Sequence, residues 1–250
     1  MKTILITGCS SGFGLEIARH FLDRDWRVVA TMRTPRADIL PASENLRILP
    51  LDVTDPESIR EAVDAAGPID ALVNNAGIGT AVPFELTTPA QARELFETNT
   101  VGTMAVTQAV LPQFRERRDG VIVNVTSSVT LKPLPLISVY SASKAAVNAF
   151  TESMAIELEP WNIRVRLVLP GRSPETRFGE NAQAQGRTQG LDHEAYAGLA
   201  RRVFAEITSE AGPVTYSRDV AEATWRAVTD PASPMRIPAG ADAIALANAA

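Results

Sequence analysis

Tyr140 and Lys144 lie four residues apart within Ser138–Glu159, a stretch whose pattern predicts a helix. At that spacing both side chains are on one face of the helix, one turn apart. A phenol beside an ammonium group ionises more easily than a free phenol, because the positive charge favours the phenolate. The pair is therefore suited to pass a proton to or from a substrate oxygen near neutral pH, which a free tyrosine does poorly.

A glycine-rich turn separates the first predicted strand, Ile4–Thr7, from the predicted helix Gly14–Arg24. Glycine lets the chain turn tightly, and it lets a pyrophosphate approach the backbone N–H groups at the helix N-terminus, where the dipole favours an anion. The spacing is Gly-x-x-x-Gly-x-Gly rather than Gly-x-Gly-x-x-Gly, but the strand–turn–helix context predicts a dinucleotide site. The predicted contact residues of this turn are Gly8, Ser10, Ser11, Gly12, Phe13 and Gly14.

The end of the second predicted strand, Arg27–Thr31, bears on the choice of cofactor. An NAD site usually has an acidic residue at this point to hold the ribose 2′-hydroxyl, whereas here the strand runs into Met32 and Arg33. Arg33, helped by Ser11 or Arg36, could bind a 2′-phosphate through charge-assisted hydrogen bonds. NADP(H) is therefore preferred and NAD(H) is possible. The alternative is that Arg33 is only a solvated residue at the strand end.

The elements that must position these residues are short apolar runs that alternate with longer helical patterns. The dense Val, Ile and Leu content of the runs is typical of strands buried on both faces of a parallel sheet. The further predicted strands are Leu46–Leu51, Ala71–Asn74, Val121–Val125 and Arg164–Leu169. The further predicted helices are Pro56–Ala66, Pro89–Arg117 with a break near Glu97, His193–Glu206 and Arg218–Thr229. This alternation predicts an α/β fold, a Rossmann-type doubly wound parallel sheet, in a single domain over residues 1–250.

The pattern changes after Pro170, where residues 171–190 hold glycines, polar residues and arginines without a strand pattern. Ligands of open α/β sheets bind at the carboxyl ends of the strands, and loops placed there carry function. We therefore predict that residues 172–215 form a variable segment that covers the substrate, the alternative being a plain surface loop.

The composition argues against several functional classes. The net charge of −5 provides no basic surface that would attract nucleic acid. No apolar run reaches the ~20 residues needed to span a bilayer and no signal peptide is recognisable, so a cytoplasmic protein without a membrane partner is expected. A single cysteine, Cys9, excludes an internal disulfide. His20 and His193 lie far apart and have no ligand spacing with Cys9, so no metal site is predicted.

With these motifs in order along residues 1–176, the chain resembles a short-chain dehydrogenase/reductase. The glycine turn matches the first motif of that family, and Tyr140 and Lys144 match its active-site motif. The other matching positions are Asp52 and Val53 in the adenine-contacting segment, Asn75, Ala76 and Gly77 in the second motif, Asn99 at the catalytic asparagine, and Pro170 and Gly171 beside the nicotinamide. The amino-acid sequence of the glycine turn is similar to that of steroid- and retinol-type members that prefer NADP.

The resemblance implies the strand order 3-2-1-4-5-6-7 and hydride transfer between NADP(H) and a ketone, an aldehyde or a secondary alcohol. Tyr140 would be the general acid/base, and Lys144 would lower its pKa and hydrogen-bond the nicotinamide ribose. Asn99 would hold a water that relays protons, and a serine would bind the substrate oxygen. The family is commonly dimeric or tetrameric through two long helices, so a homo-oligomer is expected.

Two positions depart from the family pattern. The usual spacing of thirteen residues before the tyrosine selects Ser127 as the catalytic serine, whereas alignment on the strand Val121–Val125 selects Ser128. We favour Ser128, with the following glycine-free loop, Val129–Val139, one residue short. The threonine that usually contacts the nicotinamide amide falls one position late, at Thr176, so its role is open.

A second functional class on the same fold is a non-catalytic, NADP-binding regulatory protein. Such a protein has no physical need for a tyrosine and a lysine held together, so the intact Tyr140–Lys144 pair favours the enzyme.

Overall fold

The computed structural model describes residues 1–208 and 212–249, and its sheet has seven strands in the order β3-β2-β1-β4-β5-β6-β7. Every neighbouring pair is parallel. The strands are β1 (Thr3–Ile6), β2 (Arg27–Met32), β3 (Leu46–Pro50), β4 (Ala71–Asn74), β5 (Gly120–Val125), β6 (Ile163–Pro170) and β7 (Arg236–Ala239). The predicted fold class and strand order are confirmed. Residues 209–211 of the predicted substrate segment, and residue 250, lie outside the described residues.

Helices cover both faces of the sheet, which is why the central strands β1, β4 and β5 are buried at every position. On one face Phe21 and Val220 contribute to the apolar core, and on the other face Ile59, Val106 and Met154 do so. The helices are α1 (Gly12–Leu22), α2 (Pro56–Ala66), α3 (Pro89–Phe96), α4 (Gly102–Arg117), α5 (Ser138–Leu158), α6 (Phe178–Ala184), α7 (Ala197–Thr208), α8 (Ser217–Thr229) and α9 (Ala241–Ala249).

The break predicted near Glu97 is a π-helical turn, Glu97–Val101, between α3 and α4. Helix α3 begins at a capping box in which the Thr88 hydroxyl accepts a hydrogen bond from the Gln91 backbone at 3.2 Å. π turns inside helices are rare and are frequent at functional sites. This one carries Asn99, which is 1% exposed.

Three elements escaped sequence prediction because their patterns are short: β7, α6 and the nine-residue helix α9. Strand β7 has four residues and includes Pro238, and α6 is a seven-residue helix inside the stretch interpreted as irregular. Among the described residues, no helix is both long and apolar enough to cross a membrane.

Candidate active site

The carboxyl ends of β1, β4, β5 and β6 meet at one edge of the sheet because these strands are parallel neighbours. Each of them runs into a segment that the sequence analysis singled out. These segments are the glycine turn after β1, Asn75–Gly77 after β4, Ser127 and Ser128 after β5, and Gly171 after β6. The fold therefore collects the predicted site residues at the edge where α/β proteins bind ligands.

The glycine turn packs so closely on its neighbours that two of its glycines leave no room for a side chain. Gly8 has φ of +74°, and a Cβ there would lie 2.8 Å from Ala76 Cα. A Cβ at Gly14 would lie 2.3 Å from the Gly8 carbonyl oxygen. Ser11 is at the N-cap position of α1 and has an extended backbone, and its hydroxyl makes no hydrogen bond to the first helical turn. The N–H groups of the first helical turn are thus available to an anion.

Asn75 and Thr7 hold this turn against the segment after β4. The Asn75 side-chain amide donates to the backbone oxygens of Thr7 at 2.9 Å and Gly8 at 3.1 Å. In return, the Thr7 hydroxyl accepts from the backbone N–H groups of Asn75 and Ala76, each at 3.0 Å. Asn75, which was predicted to bind the cofactor, thus has a side chain that holds the glycine turn in place.

The residues predicted for the adenosine half of the cofactor lie after β2 and β3. Arg33 is exposed at the end of β2, while the neighbouring Arg36 faces the Asp38 carboxylate at 3.4 Å. The Asp52 carboxylate accepts from the Thr54 hydroxyl at 2.8 Å and so shapes its own turn. Val53 is buried against Gly102, where a Cβ would lie 2.8 Å from Val53 Cγ2.

Tyr140 and Lys144 are both buried, at 9% and 5% exposure, one turn apart on α5. The Lys144 ammonium donates to the Val125 backbone oxygen at 3.1 Å. Burial lowers the pKa of Lys144 to about 8. Burial raises the pKa of Tyr140 to about 12, opposed by a hydrogen bond with Ser127. The expected lowering of the Tyr140 pKa is therefore reversed here, because loss of hydration disfavours the phenolate more than the hydrogen bond favours it.

The serine whose side chain acts on Tyr140 is Ser127, whereas the sequence analysis favoured Ser128. The chain stays extended through Ser127, whose φ and ψ are −170° and 150°, and turns into a 3-10 helix at Ser128. Ser127 is therefore the residue that continues the strand edge, and its side chain acts on the Tyr140 phenol, favouring a lower pKa. Ser128 instead begins the 3-10 turn, where its backbone oxygen accepts from Leu131 at 2.9 Å. The thirteen-residue spacing selects the serine that meets the tyrosine.

The loop between Ser128 and α5 contains a left-handed backbone conformation that the sequence did not predict. Leu136 has φ of +68°, in the left-handed region that costs a leucine about 1 kcal/mol or more. Its side chain is buried and its carbonyl accepts from the Val82 backbone N–H at 2.8 Å. The loop has no glycine to take up this conformation. Burial of the Leu136 side chain and the hydrogen bond to its carbonyl offset the strain.

Asn99 makes hydrogen bonds to protein groups through both its amide nitrogen and its amide oxygen. The amide nitrogen donates to the Ile78 backbone oxygen at 2.9 Å and the Ser143 hydroxyl at 3.0 Å, and the amide oxygen accepts from the Ile78 N–H at 2.8 Å. The amide oxygen of Asn99 and the ammonium of Lys144 both lie within 3.3 Å of the point where Gly77 would carry a Cβ. The side chain thus joins the segment after β4 to α5 beside the lysine.

A family model described as short chain dehydrogenase matches residues 2–186. The chain belongs to the short-chain dehydrogenase/reductase family. Human retinol dehydrogenase 8 is 34% identical over 256 residues, which cover 94% of this chain and 80% of that protein. The fold of this dehydrogenase/reductase is similar to that of a short-chain dehydrogenase from Streptomyces avermitilis, with a TM-score of 0.83, 30% identity and coverage of 99% and 91% of the two chains. A Burkholderia cenocepacia short-chain dehydrogenase in complex with NADP has a TM-score of 0.78, 27% identity and coverage of 99% and 93%.

Two residues that sequence reasoning missed fix the Pro170–Gly171 turn of this short-chain dehydrogenase/reductase. The Asp242 carboxylate accepts from the Arg172 backbone N–H and from the Thr215 hydroxyl, both at 2.6 Å. The Thr215 hydroxyl also accepts from the Gly171 backbone N–H at 2.9 Å. A Cβ at Gly171 would lie 2.1 Å from the Asp242 carboxylate, so this glycine leaves the space that Asp242 occupies. No local pattern links residues 70 positions apart.

Replacement of Asp242 by alanine is expected to lower the free energy of unfolding by about 2 kcal/mol, because two partly buried donors lose an ionised acceptor. Urea denaturation followed by circular dichroism measures the change. Asp64→Ala is the matched control, since that carboxylate is 68% exposed and pairs with Arg60 at 3.1 Å along α2. Its effect is expected to stay within about 0.5 kcal/mol. Equal unfolding free energies for the two variants would contradict a stabilising role of the Asp242 hydrogen bonds.

The segment after Gly171 returns to the glycine turn. The Thr176 methyl group lies 3.5 Å from the position that a Cβ would take at Gly12, and its hydroxyl donates to the Ser173 backbone oxygen at 3.1 Å. Thr176 therefore lies beside Gly12 of the glycine turn despite its shift by one position in the sequence.

Proposed function

We propose that this protein transfers a hydride between NADP(H) and a ketone, an aldehyde or a secondary alcohol. The observation that carries the proposal is a buried phenol, Tyr140, beside Ser127 and one helical turn from the buried Lys144. This group of polar side chains lies at the same sheet edge as the glycine turn. Burial of a phenol, a hydroxyl and an ammonium group costs folding free energy, so such groups are typical of functional sites. All three are suited to proton transfer at a substrate oxygen.

The residues of the site fit a nicotinamide dinucleotide. The close packing at Gly8 and Gly14 leaves a cradle of backbone N–H groups at the start of α1 that suits the pyrophosphate. Arg33 would hold the 2′-phosphate and Lys144 the nicotinamide ribose. The remaining proposed contacts are Ser10, Ser11, Gly12, Phe13, Asp52, Val53, Asn75, Ala76, Gly77, Tyr140, Pro170 and Gly171. When bound, the cofactor supplies or accepts the hydride at the substrate carbon.

The protein's own groups manage the proton. In the direction of reduction, Tyr140 gives its phenolic proton to the substrate oxygen, and in oxidation the phenolate removes that proton. Ser127 would hydrogen-bond the same oxygen and hold it against the phenol, which makes Ser127 rather than Ser128 the proposed catalytic serine. Lys144 in its charged form favours the phenolate that Tyr140 becomes. Asn99 is proposed to hold the water that relays protons to Lys144, and its side-chain amide also joins Ile78 to Ser143 beside the lysine.

The experiment that tests this function follows the absorbance of the reduced nicotinamide. Purified protein is mixed with NADPH or NADH and a panel of ketones and aldehydes. The expected result is carbonyl-dependent oxidation with a kcat/KM at least about tenfold higher for NADPH, as expected for a charge-assisted contact to the 2′-phosphate. Tight NADPH binding with no turnover of any carbonyl or alcohol would favour the regulatory protein instead.

Replacement of Arg33 by alanine is expected to raise the KM for NADPH about 10- to 100-fold and to change that for NADH less than about threefold. The reason is that hydrogen bonds to an ionised phosphate contribute about 1.5–3 kcal/mol, which only NADPH can gain. Initial rates at varied cofactor concentration measure both constants. Arg226→Ala is a control, since it removes an arginine that pairs with Asp230 at 3.9 Å on α8. Equal losses with both cofactors would exclude Arg33 as the phosphate ligand.

The substrate segment, 172–215, is proposed to cover this site. The cytoplasmic location and the homo-oligomeric state stay predictions.

A further inference from the structure

Phe178, the first residue of α6, lies directly on Tyr140. The two ring centroids are 5.7 Å apart and the rings are tilted by 58°, within the range in which aromatic pairs attract. A Cβ at Gly79 would lie 2.3 Å from Phe178 Cε1, so the ring also rests on the segment after β4. Gly79 therefore leaves the space that the phenyl ring fills beside the proposed general acid.

Arg187 fixes α6 in this position. Its backbone oxygen accepts from the Thr80 hydroxyl at 2.8 Å and from the Ala81 N–H at 3.1 Å. Its guanidinium, 9% exposed, forms an ion pair with Glu94 of α3 at 2.5 Å. The Arg187 backbone N–H donates to the Ala182 oxygen in α6 at 2.8 Å, so the ion pair and α6 form one unit. The ring of Phe178 is thus held over Tyr140 by a closed set of contacts and does not depend on its own packing alone.

The exposures of the two rings differ in an informative way. Tyr140 is 9% exposed, whereas Phe178 is 41% exposed although it packs on Tyr140 and Gly79. Part of an apolar ring therefore remains uncovered at the border of a buried general acid. An exposed aromatic surface beside convergent polar groups is the usual composition of a small-molecule pocket.

We infer that Phe178 is a specificity-determining residue whose exposed ring surface packs against the larger apolar substituent of the carbonyl substrate. The same ring keeps water from the phenol of Tyr140. The preferred substrates are thus carbonyl compounds with an aromatic or bulky aliphatic group next to the reacting carbon. This inference rests on the proposed function and deepens it.

The first arm of the test compares acetophenone and acetone, two methyl ketones that differ only in a phenyl group. The Phe178→Ala variant is expected to lose about 10- to 100-fold in kcat/KM for acetophenone, as expected for loss of a large apolar contact, and less than about threefold for acetone. Phe178→Leu, which keeps an apolar side chain, is expected to restore most of the loss. Phe84→Ala is the matched control, since its ring is 73% exposed and lines an outer groove with Ser138 and Val139.

The second arm needs no turnover. Ultraviolet difference spectra taken during alkaline titration measure ionisation of the three tyrosines, and the Tyr140→Phe variant identifies the signal of Tyr140. In Phe178→Ala, water reaches the phenol, and the pKa of Tyr140 is expected to fall from about 12 toward its ordinary value near 10. Circular dichroism establishes that the variant is folded. The Phe84→Ala titration is expected to follow that of the unsubstituted protein.

The two arms separate failure of the inference from failure of the function. Equal losses for acetophenone and acetone in Phe178→Ala, or an unchanged Tyr140 titration in that folded variant, would overturn the role of Phe178. A protein that turns over neither ketone nor any other carbonyl would overturn the proposed function, and a Tyr140 titration that still shifts in Phe178→Ala would nevertheless support the shielding contact.

Discussion

The Tyr140→Phe variant is expected to lose about 100- to 10,000-fold in kcat for carbonyl reduction while its affinity for NADPH stays within about twofold. The size of the loss is that of a positioned general acid. The substitution removes one oxygen atom and keeps the ring that packs on Phe178 at 5.7 Å between centroids. The fold and the cofactor site are therefore preserved, and only the proton donor is absent.

Steady-state rates with NADPH and tryptophan fluorescence titration with the same cofactor measure the two quantities. Tyr216→Phe is the matched control, because Tyr216 is 44% exposed at the start of α8, and its rates are expected to equal those of the unsubstituted protein. A Tyr140→Phe variant with undiminished activity would mean that another group transfers the proton, and it would remove the main support for the proposed mechanism.

The Lys144→Met variant is expected to be at least about 100-fold less active and, at neutral pH, more stable. Burial lowers the pKa of Lys144 to about 8 from 10.5, a difference that corresponds to about 3 kcal/mol of destabilisation when the lysine is charged. Methionine removes that cost, although the Val125 carbonyl loses its donor at 3.1 Å, which takes back about 1 kcal/mol. A net gain of about 1–2 kcal/mol is expected at pH 7.

The sign of the pH dependence follows from which state binds the proton. Between pH 8 and 10.5 the unfolded lysine is charged and the folded one is neutral, so the stability of the unsubstituted protein rises with pH across this window. Below pH 8 the cost is fully present. Urea denaturation of both proteins at pH 7 and at about pH 10 is expected to show the advantage of Lys144→Met at the lower pH and its loss at the higher one.

Lys132→Met serves as the control for the loss of a lysine, since Lys132 is exposed in the loop before α5, and its unfolding free energy is expected to change by less than about 0.5 kcal/mol. Activity carries a matching signature. If the charged form of Lys144 favours the phenolate, the rate of the unsubstituted enzyme falls as pH rises through about 8. A Lys144→Met variant that is less stable than the unsubstituted protein at pH 7 would mean that the ammonium is not costly where it lies.

The features predicted correctly from sequence are those that local spacing encodes. The helix that holds Tyr140 and Lys144, the start of α2 at Pro56 and the break at Glu97 each depend on residues within a few positions of one another. The apolar runs predicted six strands for the same reason, because burial on both faces allows only apolar residues there. The strand order came from the family resemblance, and the structure has the same order.

The serine shows where a local argument stops. Ser127 and Ser128 are adjacent and chemically identical, so only the direction of the backbone decides which one meets Tyr140. The extended conformation at Ser127 and the 3-10 turn at Ser128 make that decision. The left-handed Leu136 in the same loop is equally local in sequence, yet its strain is offset by contacts with Val82 that come from another part of the chain.

The amino-acid sequence by itself determined the fold class, the glycine turn after β1 and the helix that carries Tyr140 and Lys144, because turns and helices are specified by residues close in the chain. Only the tertiary structure decided that Ser127 faces Tyr140, that Phe178 covers the phenol, and that burial moves the pKa values of Tyr140 and Lys144 in opposite senses. It also decided that Asp242 holds the Gly171 turn across 70 residues of chain. These are properties of segments that are distant in sequence and adjacent in space, and desolvation exists only once those segments have packed together.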